Sequence, residues 1–139
     1  MNKHLAIGDW QDLGPRASQV RFTVFVQEQG VPVELELEPL DADCVHAVIE
    51  IDGRPVATGR LCPDGRIGRM AVLKDFRGQG LGSEILRALI SAAEKRGHDE
   101  TYLHAQLHAL GFYARHGYVA EGPEFDDAGI SHLHMRRSR

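Results

Sequence analysis

Long apolar stretches are missing from this 139-residue chain, whose uninterrupted hydrophobic runs fall far below the roughly 18 residues a membrane helix needs. The opening Met1 to Trp10 also lacks an apolar signal region. Both absences argue against membrane spanning and secretion, and the expected compartment is the cytoplasm. Cysteine is scarce: Cys44 and Cys62 are the only two, and they do not form a C-x-x-C pair. In a reducing compartment they are expected as free thiols rather than a disulfide or a Cys-rich zinc site. Net positive charge is absent as well. Sixteen Lys and Arg stand against twenty Asp and Glu, a formal charge of −4, so the basic field that dominates nucleic-acid binding is lacking.

What is present suits one ordinary core: 42% of the residues are hydrophobic and no repeat, low-complexity tract or Pro/Gly/Ser linker divides the chain. A single domain over residues 1–139 is expected. Charge is distributed unevenly within it. Glu28 to Gly53 holds eight acids (Glu28, Glu34, Glu36, Glu38, Asp41, Asp43, Glu50, Asp52) and no Lys or Arg. Arg54 to Arg87 reverses this, with Arg54, Arg60, Arg66, Arg69, Lys74, Arg77 and Arg87 against Asp64, Asp75 and Glu84. Such runs form either two solvated faces of opposite sign or a site that meets an anion on one side and a cation on the other.

Val20 to Val26 fits a helical face, although its β-branched residues also suit a strand. Val33 to Glu38 alternates with period two and predicts an extended segment bracketed by Pro32 and Pro39. His46 to Ile51 and Arg54 to Cys62 flank Asp52-Gly53, a hairpin signal, and Pro63-Asp64-Gly65 predicts a second turn into an antiparallel strand over Arg66 to Val72. From Leu81 the apolar residues Ile85, Leu86, Leu89, Ile90 and Ala93 recur at helical spacing until Gly97. Thr101 to Ala105 reads as a strand, Leu107 to His116 as a helix stopped by Gly117, and Ile130 to Met135 as a closing strand. Strands followed by interleaved helices predict an α/β or α+β fold with a mixed, mostly antiparallel twisted sheet flanked by helices.

Arg77-Gly78-Gln79-Gly80-Leu81-Gly82 lies between the third strand and the strongest helix. Glycines there free the backbone to aim N–H groups at an anion at a helix N-terminus, or they merely shape the turn. A Walker loop is excluded because no Gly-Lys-Ser/Thr follows. A dinucleotide fingerprint is excluded because Ser83 stands three residues beyond Gly80 and the preceding strands form a meander.

What remains, Arg77-x-x-Gly80-x-Gly82, resembles the Gln/Arg-x-x-Gly-x-Gly/Ala signature of the GNAT superfamily of acetyl-CoA-dependent N-acetyltransferases. A second block, Gln106-x-x-Ala109-x-x-Phe112-Tyr113-x-x-x-Gly117-Tyr118, is similar to that family's Asn-x-x-Ala-x-x-Phe-Tyr-x-x-x-Gly-Phe segment, with Gln106 in place of Asn and Tyr118 in place of Phe. Val24-Phe25-Val26-x-Glu28-Gln29 and Gly129-Ile130-x-His132 resemble a subgroup of small bacterial members called ElaA-like, so that the likeness runs from about Arg16 to Met135.

This resemblance implies a GNAT-like acyl-CoA N-acyltransferase fold whose sheet is split near its middle to admit the thioester. It implies that acetyl-CoA is the co-substrate, bound by the backbone of Met70, Ala71 and Val72 along the pantetheine. Arg77, Gly78, Gln79, Gly80, Leu81, Gly82 and Ser83 would surround the pyrophosphate, with Gln106 and Phe112 also in contact. The Val72 amide would stabilise the oxyanion, and Tyr113 would be the general acid toward the departing thiolate. Glu28, His132 or a chain of ordered waters would take the proton of the attacking amine.

Eight histidines raise a metal reading. His104 and His108 have the i, i+4 spacing of a zincin helix, but Ala105 stands where the catalytic Glu belongs, and His132 with His134 supplies only two ligands on one strand face. No metal is expected. The expected activity is acetyl transfer to the primary amine of a small molecule by direct attack in a ternary complex. The acidic segment favours a cationic, polyamine-like acceptor. The competing reading is a catalytically silent acyl-CoA sensor domain. A second copy of the chain in a homodimer is one option for a partner; nucleic acid and membrane are not expected.

Overall fold

The Asp52-Gly53 turn needs two successive residues with positive φ, and in the computed structural model, which describes residues 2–139, they have φ of 52° and 81°. That geometry matches the twist of the strands it joins, β2 (Val45–Ile51) and β3 (Arg54–Leu61). The turn at Gly65 then returns the chain into β4 (Ile67–Val72), antiparallel to β3. An N-terminal strand, β1 (Lys3–Gly8), pairs with the other edge of β2, so the first sheet has the order β1-β2-β3-β4. The second sheet, β5-β7-β6, is built from β5 (Glu100–Gln106), β6 (Val119–Asp127) and β7 (Ile130–Ser138), again all antiparallel.

The two sheets meet at one parallel bridge, Arg66 with Tyr102, where the Tyr102 N–H donates to the Gly65 carbonyl at 3.2 Å. Past that point β4 and β5 part. The sheet is therefore mixed only at its seam, and the seam opens into a V.

α1 (Trp10–Arg21) is started by Asp9, whose carboxylate accepts from the Asp12 N–H at 2.9 Å. It continues as a π-helical segment over Phe22–Glu28, which gives the helical reading of Val20 to Val26 its form. α3 (Leu81–Lys95) covers the opposite face of the first sheet with Leu81, Ile85, Leu86 and Leu89 fully buried. It ends in a left-handed Gly97, with the His98 N–H donating to the Ala93 carbonyl (3.1 Å) and the Gly97 N–H to that of Glu94 (3.0 Å). The helix sits flush on β3: a Cβ at Gly59 would lie 2.8 Å from Ile85 and 2.9 Å from Leu89. α4 (Leu110–Arg115) is preceded by a 3₁₀ turn over Leu107–Ala109, so the helix expected from Leu107 begins as that tighter turn.

The extended segment expected at Val33 to Glu38 is not formed. Val33–Glu36 is a short helix, α2, followed by a 3₁₀ turn over Pro39–Asp43. The alternation is inverted there: Leu35 and Leu37 are more than half exposed while Glu36 is 4% exposed, held inward by an ion pair rather than outward by water. Cys44 and Cys62 are both buried free thiols, with their Sγ atoms 3.1 Å apart. Among the described residues no helix is long and apolar enough to cross a membrane.

Candidate active site

The V between β4 and β5 leads into a cleft of about 720 Å³ that runs from the glycine loop to the β6–β7 turn. At one end lie Val72, Arg77, Gly82, Gln106, Phe112 and Tyr113. Beyond Arg66 the edge of β4 that faces β5 has no strand partner among the described residues, so its backbone at Met70 to Val72 borders the cleft as an unpaired edge.

The glycine turn enters α3 directly. Gly80 is the N-cap, with φ 82° and no side-chain cap, and Gly78 has φ 79°. A β-branched residue at either position would be strained. The first amides of α3 are thus left without a capping side chain. Gly78, Gln79 and Gly80 are exposed at the mouth, whereas the Leu81 side chain is in the core, so only its backbone can serve a ligand. The Ser83 hydroxyl lies 2.9 Å from His116 Nε2.

Tyr113 reaches the cleft from α4 and is 8% exposed. Its ring meets Phe112 edge-on at 5.0 Å and Tyr118 at 6.0 Å. Burial, and secondarily the neighbouring Tyr118, pushes its phenol well above the ordinary tyrosine range, so the hydroxyl stays protonated at any physiological pH. The hydroxyl of Tyr118, the residue that stands where the family has Phe, sits 2.6 Å from Thr101 Oγ1 in the core. That contact satisfies its extra polar atom.

Gln106 is engaged on both sides. Its amide exchanges hydrogen bonds with Gln29 (3.0 and 3.3 Å) and its carbonyl lies 2.8 Å from His108 Nε2, which ties the end of β5 to the π-helical segment. His104 is on β5 and His108 in the 3₁₀ turn beyond it, so the two do not share a helix face. Among the described residues no group of three or more His, Cys, Asp or Glu is placed to hold a metal ion.

The two candidate proton acceptors differ in environment. Glu28 gives both carboxylate oxygens to Arg77, Oε1 to Nη2 at 2.7 Å and Oε2 to Nη1 at 2.8 Å, and this hydrogen bonding holds its pKa below the usual value. Arg77 Nε donates to the Val72 carbonyl at 2.9 Å. His132 is 8% exposed and lines the cleft from β7. Its Nδ1 is 2.7 Å from the Ile130 carbonyl, which can only accept. Nδ1 therefore carries the hydrogen, and in the neutral ring the lone pair is on Nε2.

The acidic run and the basic run of the sequence interlock instead of forming separate faces. Arg21, 1% exposed, donates to Glu36 (2.5 Å) and twice to Asp41 (2.9 and 3.1 Å). Arg60 donates to Asp41 (2.7 Å) and Glu38 (2.5 Å), and Arg69 to Glu38 (2.9 Å). Burial alone would raise the Asp41 carboxyl, but hydrogen bonds from Arg21 and then Arg60 outweigh it and hold the pKa at about 2. These acids are neutralised internally, and Glu28 and Glu50 are also paired, with Arg77 and Arg16. The acids of the segment that line the cleft, Glu28, Glu36 and Glu38, are thus all paired with arginines, while Glu34, Asp43 and Asp52 are exposed away from it.

Arg66, Arg69 and His104 also line the cleft. In the sequence the two arginines carry no signal beyond membership of the basic run, and His104 carries only its spacing to His108, which points to a metal rather than to this cleft. Arg69 adopts φ 50° at the irregularity between β3 and β4, a left-handed turn that a sequence motif does not announce.

Residues 14–139 match a family model described as an acetyltransferase (GNAT) domain. The chain is 42% identical over 125 residues to the uncharacterized N-acetyltransferase YjcF of Bacillus subtilis (strain 168), covering 87% of this chain and 89% of that one. A crystal structure of an acyl-CoA N-acyltransferase from Pseudomonas aeruginosa superposes with a TM-score of 0.86 at 33% identity, over 99% of this chain and 100% of that one. Escherichia coli ElaA superposes with a TM-score of 0.87 at 24% identity, over 99% and 100% of the two chains, a likeness of fold.

Proposed function

The chain belongs to the GNAT acetyltransferases, and on that footing we propose that it moves an acetyl group from acetyl-CoA to the primary amine of a small molecule by direct attack in a ternary complex. The observation that carries this reading is the cleft itself. An unpaired strand edge at Met70 to Val72 leads to an uncapped, glycine-entered helix N-terminus, with a buried tyrosine beside it.

The edge of β4 offers backbone groups to the amides of pantetheine, as an added strand would. The amides from Gly78 to Ser83 offer N–H groups to the pyrophosphate at the start of α3, with Gln79 and Leu81 contributing backbone only. Phe112 packs under Gly82, where a Cβ would lie 3.4 Å from its ring, and closes the floor of this end. Gln106 braces the wall through Gln29 rather than by a free amide.

The neutral amine attacks the thioester carbon and the carbonyl electrons move to oxygen, where the Val72 N–H stabilises the oxyanion. As the C–S bond breaks, the sulfur becomes basic and the Tyr113 hydroxyl donates to it. Because burial raises that phenol, it acts mainly as a hydrogen-bond donor until cleavage is well advanced. His132, with its tautomer set by the Ile130 carbonyl, takes the proton from nitrogen on Nε2. Glu28 can replace it only if the pair with Arg77 opens, so its role is to position the loop arginine.

The test is incubation of the purified chain with acetyl-CoA and a broad panel of primary amines, following thiol release and acetylated product by mass. Stoichiometric acetyl-amine and CoA are expected for at least one class of amine. Tight acetyl-CoA binding with no turnover on any of them would instead mark a sensor domain.

A further inference from the structure

Three arginine Nε–H groups, on Arg60, Arg66 and Arg69, are buried without a hydrogen-bond acceptor among the described residues, and Arg66 and Arg69 line the cleft. An unsatisfied buried donor is costly, and the cost rises when the group is charged. Around them the charges can be paired off. Arg21, Arg60 and Arg69 face Glu36, Glu38 and Asp41, three against three, and cancel.

Arg66 stands outside that balance: among the described residues no carboxylate lies within 4 Å of its guanidinium. Asp64 accepts from the Tyr102 hydroxyl and from the backbone N–H of Arg66 (3.1 Å). Asp127, exposed at the β6–β7 turn, lines the same cleft, raises the pKa of His104 through its charge, and makes no ion pair among the described residues. His104, close to Arg66 on β5, is held neutral, since burial and then the Arg66 charge lower its pKa to about 4. The far end of the cleft therefore presents the Arg66 guanidinium without an ion-pair partner among the described residues, beside Arg69, whose Nε lies 3.7 Å from Glu36.

We propose that Arg66, with Arg69 beside it, is a carboxylate-binding subsite, and that the amine acetylated in this cleft is carried by an amino acid or another molecule bearing a carboxylate. The arrangement suits that ligand. A carboxylate in the cleft pairs with the guanidinium of Arg66 and supplies the charge that no ion pair in the fold supplies. Neither a neutral amine nor a polyamine does so, and a second cation beside Arg66 is repelled. This specificity rests on the transferase reading of the cleft, while the subsite itself is tested by binding.

The first experiment uses the CoA-saturated protein and ligand-observed NMR with the common α-amino acids and ω-amino acids, each beside its carboxamide and its decarboxylated amine. Carboxylate forms of at least one series should bind about 10- to 100-fold more tightly than their amide and amine counterparts. Arg66→Gln should erase that ratio while CoA still binds, and Arg66→Lys should restore it only in part. Equal or better binding of the amides or amines, binding of none of the acids, or an unchanged ratio in Arg66→Gln would overturn the subsite. Preference for aminoalkyl phosphates over carboxylates would overturn the carboxylate assignment.

The second experiment compares kcat/KM over the same series. Carboxylate-selective binding without acetyl transfer to any amine would leave the subsite standing and refute the transferase reading. Acetylation without preference for the acids would do the reverse. Should Arg66→Gln fail to fold, the wild-type ligand series decides alone.

Discussion

The Glu28 carboxylate grips the Arg77 guanidinium at two points, 2.7 and 2.8 Å, across 49 residues of sequence. The contact fastens the end of the π-helical segment to the loop that enters α3. It also turns the loop arginine toward Glu28 and the Val72 carbonyl, so the cation that family resemblance assigns to the pyrophosphate is already partnered. Both side chains are about two-fifths exposed (38% and 41%), and an exposed pair of this kind contributes about 0–1 kcal/mol. An arriving diphosphate can compete for it.

Glu28→Gln should therefore free Arg77 and tighten CoA by about two- to five-fold, within the range of one exposed ion pair, while Arg77→Gln weakens it. Titration of both variants checks this. A collapse of turnover in Glu28→Gln with unchanged CoA affinity would instead make Glu28 the proton acceptor.

Tyr113→Phe should lower kcat by about 10²-fold, the usual contribution of a positioned acid, and leave acetyl-CoA affinity nearly intact. Steady-state kinetics beside a direct titration separates the two. Since burial raises the phenol, no loss of rate from Tyr113 ionisation is expected on the alkaline side up to pH 10.

Acidification should destabilise the fold in two stages. The pKa values of His46, His104 and His116 are all lowered, chiefly by burial. The unfolded chain therefore binds protons first, and stability that is full above pH 6.5 falls as pH drops below it. Asp41 has a folded pKa of about 2 against 3.8. Its contribution, about 2 kcal/mol, is present above 3.8 and is lost as pH falls toward 2. Melting temperatures from pH 8 to pH 3 should show a decline beginning near pH 6.5 and steepening below 4. His104→Leu should flatten the first stage.

The hairpins and α3 are legible in the sequence because local chemistry decides them: Asp52-Gly53 demands a tight turn, and one apolar stripe ended by Gly97 demands a helix. That the glycine turn and Tyr113 meet at one end of the cleft follows from elements legible for the same reason, since Gly80 and Tyr113 sit in motifs. Elements decided by distant partners are not. Val33 to Glu38 alternates like a strand, yet Glu36 points inward because Arg21, fifteen residues earlier, is buried beside it. Gly14 and Pro15 obscure α1, and β1 is largely exposed, giving little apolar signal. In β6, Gly122 and Pro123 interrupt a strand that is almost wholly exposed. The interlocking of the acidic and basic runs, and with it the isolation of Arg66, requires knowing which arginine meets which acid across the sheet.

Calorimetric titration of the purified chain with acetyl-CoA bears most directly on acetyl transfer in this cleft. Saturable binding at one site per chain is expected, lost in a folded Gly82→Leu variant whose side chain would enter the space beside Phe112 and Val72. Absence of binding by well-folded wild-type protein would contradict it, leaving the glycine loop as a turn and nothing more.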